Sequence, residues 1–94
     1  MAKFGPYEFD GPYSGPEALL EEPGVLVVTS GDDGRVLYAE AADNVRAAAA
    51  SDDAPHGEGL SWWAYYTGSE HERRTAAGMV RYLYHCSYLR SLGL

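Results

Sequence analysis

The last carboxylate side chain in this chain is Glu72, and residues 73–94 contain none. Metal-assisted hydrolysis of phosphate esters needs acidic side chains to hold the ion. Residues 73–94 therefore offer arginines without a carboxylate ligand. Arg73, Ala77 and Arg81 are spaced four apart, so on a helix they form one stripe, with Arg74 beside it. Such a stripe can meet phosphate, an acidic partner, or the protein's own carboxylates. His56, Glu58, Glu70 and His71 are metal-ligating types. They lie in a loop and at a helix start without ligand spacing, and read as solvated groups; no metal is expected. Cys86 is the sole cysteine, which excludes an internal disulfide and a cysteine-rich zinc site; it reads as a small, half-buried hydrophobe, with an intermolecular or redox role as the alternative. No Ser-His-Asp or Cys-His order matches a hydrolase motif.

The elements that must position these residues follow from local pattern. Residues 1–23 hold Pro6, Pro12, Pro16 and Pro23 and read as an N-terminal arm, with a possible short helix over 16–22. Val25 to Thr29 is a β-branched run, hence a buried strand. Residues 30–34 read as a turn and 35–40 as a second strand, making an antiparallel hairpin. Asp43-Asn44 offers an N-cap to a helix over 45–50. Residues 60–67 form a third strand, with Trp62, Ala64 and Tyr66 on one face and Trp63 and Tyr65 on the other. Phe4, Tyr7 and Phe9 of the arm are expected to cover one of these aromatic faces. The alternative is an exposed, partner-binding patch.

Ser69-Glu70-His71-Glu72 reads as a capping box. The helix after it is expected to bury Ala76, Met79, Val80 and Leu83. Tyr82, Tyr84, His85, Cys86, Tyr88 and Leu89 continue it or begin another helix, with Gly93 as terminator. Gly78 costs such a helix about 1 kcal/mol relative to alanine, which predicts a close contact or an interface there.

The chain's 94 residues make one domain, with residues 24–94 as its α/β part after the arm. Apolar residues are 46% of the chain, which favours a globular state. No apolar run is long enough to span a bilayer, and no signal-peptide core is present, so a cytoplasmic setting is expected. The net charge of −7, with Lys3 the only lysine, makes nucleic acid an unfavourable partner unless the arginines cluster.

The order hairpin, helix, third strand, long helix resembles the nuclease domain of the GIY-YIG superfamily. Gly24-Val25-Leu26 is similar to its first tripeptide and Tyr38-Ala39-Glu40 to its second; Asp43-Asn44-Val45-Arg46 resembles the stretch that follows. The opening Phe4 to Asp10 and the aromatic third strand also resemble small stand-alone members. The likeness implies an α+β fold: a three-stranded antiparallel sheet flanked by helices. It also implies a Mg²⁺-dependent nuclease site with two tyrosines, an arginine and a metal-binding glutamate. These positions fall on Leu26, Tyr38, Ala48 and Ala77, of which only Tyr38 matches. Glu40 replaces the glycine of the second tripeptide, Asp52 falls on the following histidine position, and Arg46 lies about 200° around the helix from Ala48.

The expectation is a degenerate member without catalytic residues or cofactor, serving as a small binding module. Its contact face would involve Tyr38, Glu40, the Ala47–Ala50 helix, Arg73, Ala77 and Arg81, with Trp62 as a further binding residue. The alternatives are a divergent metal-dependent nuclease or nucleic-acid binder, and a structural homodimer. A protein partner or a second copy is expected, and no membrane.

Overall fold

A computed structural model describes residues 1–32 and 34–84. The element order is β1 (Ala2–Phe4), β2 (Tyr7–Tyr13), a 3-10 turn (Pro16–Ala18), β3 (Gly24–Ser30), β4 (Val36–Ala42), α1 (Val45–Ala50), β5 (Leu60–Tyr66) and α2 (Glu70–Tyr84). The strands form one antiparallel sheet in the order β1-β2-β5-β3-β4. It curls into half a barrel, and the protein is mostly β with one full-length helix. The three-stranded sheet flanked by helices implied by the GIY-YIG resemblance is thereby overturned. The two additional strands come from the proline-bearing arm.

The arm enters the sheet because its prolines sit where no ladder N–H is needed. Pro6 follows Gly5 in the β1–β2 turn, and Gly5 has φ +65°, which glycine adopts without strain. Pro12 lies in the irregular stretch between Asp10 and Tyr13, where β2 shifts register against β5. Gly11 has φ +141°, and a Cβ there would press on the Trp62 carbonyl and the Trp63 ring at 2.8 and 2.9 Å. Only glycine lets the two strands approach so closely at this point. The helix expected over 16–22 is one 3-10 turn, because Leu19 is extended and drops into the core.

Two cores lie on opposite sides of the sheet. On the α2 side, Phe4, Phe9, Val25, Val27, Val36 and Ala39 pack against Ala76, Ala77 and Val80. On the α1 side, Leu26, Val28, Tyr38, Trp62 and Ala64 pack against Leu19, Val45, Ala49 and Ala54. Asn44 caps α1 through a 3.0 Å bond from the Ala47 N–H, as the sequence predicts.

Helix α2 starts as expected, but its roll differs. The Glu72 N–H donates to Ser69 Oγ at 3.2 Å. The Glu72 carboxylate does not close the other half of the capping box, since it accepts from the Tyr65 hydroxyl. Met79 and Leu83, expected in the core, are 38% and 46% exposed. Ala76 and Val80 are buried as expected, and Arg73 and Ala77 face inward with them. Gly78 makes no close contact: a Cβ there would meet nothing within 4 Å. The expectations for His85, Cys86, Tyr88, Leu89 and Gly93 lie outside the described residues.

Candidate functional site

Strand β4 ends the strand order, so one of its edges has no neighbouring strand among the described residues. Helix α2 lies over β3 and β4. The Arg73–Ala77–Arg81 stripe faces this side of the fold, as the four-residue spacing requires. Ala77 is buried at its centre. A methyl group there lets the helix sit close to the sheet, and the two arginines flank the contact.

The Arg73 side chain is only 9% exposed. It donates Nη1 to the carbonyls of Gly68 at 3.0 Å and Thr67 at 3.4 Å, and Nη2 to Asp43 Oδ1 at 3.0 Å. Arg73 thus ties the β5–α2 connection to the end of β4. Its carboxylate partner is 99% exposed, so one end of this ion pair is in water. Arg81 donates Nη1 to the Ala39 carbonyl and to Glu40 Oε1, both at 2.9 Å. Arg74 meets Glu70 at 2.7 Å on the helix surface. Each arginine of α2 therefore faces a carboxylate of this same chain. Of the three uses open to the stripe, pairing with the protein's own acids is the one observed.

Where β4 ends and α2 begins, Ala41, Ala42, Asp43, Glu70, Arg73 and Arg74 line a depression of about 190 Å³. Its two cations are balanced by its two carboxylates, so it presents no net charge to a ligand.

The remaining predicted residues are not brought to this place. Tyr38 and Trp62 are buried on the α1 side, with Leu26 in the same core and Ala48 packed against it. Leu26, Tyr38 and Ala48 thus lie across the sheet from Ala77, and the four positions do not converge on one point. Trp62 is no surface residue: its Nε1 is buried without a hydrogen-bond partner among the described residues. His56 Nε2 lies 2.6 Å from the Ser51 carbonyl. Among the described residues, no group of three or more His, Cys, Asp or Glu side chains gathers where a metal ion would sit.

A contact not foreseen in the sequence joins Tyr65 to Glu72. The hydrogen bond to Glu72 and, after it, burial hold the Tyr65 hydroxyl above the ordinary tyrosine pKa. Burial raises Tyr66 likewise, although its hydroxyl accepts a 2.9 Å bond from the Leu20 N–H, which opposes the rise. Asp43, taken as a capping residue, is instead the partner of Arg73. Only its position just past β4 hinted at this.

Comparison with family models, with curated proteins and with solved structures gives no match for this chain. Among the described residues no helix is long and apolar enough to cross a membrane.

Proposed function

We propose that the protein is a small, non-catalytic binding module that takes an extended segment of a protein partner onto β4. One observation carries the reading. Strand β4 closes the strand order, and its outward carbonyl at Ala39 is met by an arginine side chain in place of a neighbouring strand. Outward groups recur every second residue in an antiparallel pair, so Ala41 also directs its N–H and C=O outward. Ala39, Ala41 and Ala42 have short side chains, which leave the backbone accessible to an incoming strand. Such a strand gains main-chain hydrogen bonds along the edge, and side-chain pockets supply selectivity. The depression beyond Ala42 gives room for one side chain of the segment.

Nucleic acid is not the proposed partner, because Arg73, Arg74 and Arg81 each already face a carboxylate in a chain of net charge −7. The reading does not lean on the GIY-YIG resemblance, which rests on the short motifs alone. The test is selection of extended peptides from a random library on the immobilised protein, followed by binding isotherms with Ala41→Pro. Proline removes the outward N–H and leaves the ladder to β3 intact. Binding to the wild type and its loss in Ala41→Pro is the expected result. Peptides that bind both proteins equally would remove β4 from the reading.

A further inference from the structure

A bare seven-residue edge invites pairing with any other strand, including the same strand of a second molecule. The β4 edge is not bare, since Arg81 reaches from α2 to the Ala39 carbonyl and is held there by Glu40. Both side chains are partly exposed, at 32% and 41%. An ion pair this open to water is weak enough to exchange. We infer that Arg81 is a latch on the β4 edge that excludes a second copy's β4.

The geometry gives the reason. Two copies of β4 pairing antiparallel about a two-fold axis at Ala39 would place Ala39 opposite Ala39 and Leu37 opposite Ala41. The side chains at the centre are methyl groups and do not oppose this. The Arg81 guanidinium does oppose it. It sits on the very carbonyl the second strand must reach, and the two-fold axis would bring two such cations to one point. Like charges held together on partly desolvated backbone disfavour the pair. A partner strand without a cation at that place meets only one guanidinium. A carboxylate on that strand can draw it off the Ala39 carbonyl. Arg81 would then discriminate between self and partner on the edge proposed above. The inference takes its biological meaning from that reading, but its test does not use a partner.

The experiment is molar mass by light scattering or sedimentation across a wide concentration range. The proteins are wild type, Arg81→Ala, Arg81→Lys and Arg81→Ala combined with Ala41→Pro. The latch predicts wild type and Arg81→Lys at one chain mass throughout. It predicts Arg81→Ala rising to twice that mass with concentration, and the proline double variant returning to one. Should Arg81→Ala fail to fold by far-ultraviolet circular dichroism, Arg81→Met removes the cation while keeping a long apolar stem packed at that place, and a rise toward twice the mass is again expected. Folded latch variants that stay at one chain mass would overturn the inference. So would a wild-type dimer that Ala41→Pro dissociates. Failure of the peptide selection would count against strand addition by a partner and leave these masses unaffected.

Discussion

Adjacent tryptophans on β5 show how differently the two faces of the sheet are built. Trp63 points to the α2 side, where its Nε1 donates to Thr29 Oγ1 at 2.9 Å and its ring meets Phe4 edge-on at 5.4 Å. Trp62 points to the α1 side and is the more deeply buried of the two, yet its Nε1 is unpartnered among the described residues. The α2 side is aromatic and cross-linked: Phe4, Phe9, Tyr7 and Tyr65 form ring contacts with centroids between 5.2 and 5.7 Å. Ion pairs from α2 frame that side at β4. The α1 side sets Tyr38 and Trp62 among aliphatic residues and is capped by six residues of helix. The arm makes the difference, because its aromatic residues cover the α2 side and bind β2 to β5. Stability is thus expected to depend more on residues 1–13 than their proline content suggests.

The largest effect that would break this comparison is predicted for Phe9→Ala. Phe9 is fully buried and joins Phe4 to Tyr65. Its truncation should cost about 3–5 kcal/mol in denaturant unfolding. Limited proteolysis should then cut within residues 1–13. An arm that stays protected would mean that its backbone pairing alone holds it.

The two tryptophans give the next test. Trp63→Phe removes a donor from the buried Thr29 hydroxyl and should cost about 1–3 kcal/mol. Trp62→Phe removes a donor that has no partner, so the relief offsets part of the lost packing, and a cost about 1 kcal/mol smaller than for Trp63→Phe is expected. Equal losses would show that ring volume alone decides both positions. On the helix surface, Gly78→Ala should stabilise by roughly 0.5–1 kcal/mol, because a Cβ meets open space there and alanine is the better helix former.

The smallest effect concerns pH. The Tyr65 pKa is raised in the folded state by its hydrogen bond to Glu72 and by burial. The stability linked to this proton is full below the unfolded value near 10 and declines as pH rises from there through the folded pKa. Wild type should therefore lose melting temperature above about pH 10 more steeply than Tyr65→Phe. Identical alkaline slopes would place the loss at Tyr66 or elsewhere.

The β3–β4 hairpin, the Asn44 cap and the Ser69 start of α2 were legible because each is written within a few neighbouring residues. The arm was not, although Tyr7-Glu8-Phe9-Asp10 alternates apolar and polar residues as a strand does. The prolines masked that signal. The roll of α2 was misread because Met79 and Leu83 are as apolar as core residues, while inward-facing Arg73 is not. The candidate residues divided for a related reason. Tyr38 and Ala77 were assigned to one surface on family spacing, and the strand and helix place them on opposite sides of the sheet.

The sequence by itself determined the segments that become β3, β4, β5, α1 and α2, where α1 and α2 begin, and that residues 73–94 carry cations without carboxylates. These are properties of neighbouring residues and their periodicity. Tertiary structure alone decided that β2 pairs with β5, that β4 is left at the edge, and that Arg73 and Arg81 find Asp43 and Glu40. Those outcomes depend on contacts between residues 30 or more positions apart. No local pattern specifies such contacts, because they are selected by how the whole set of apolar faces is buried at once.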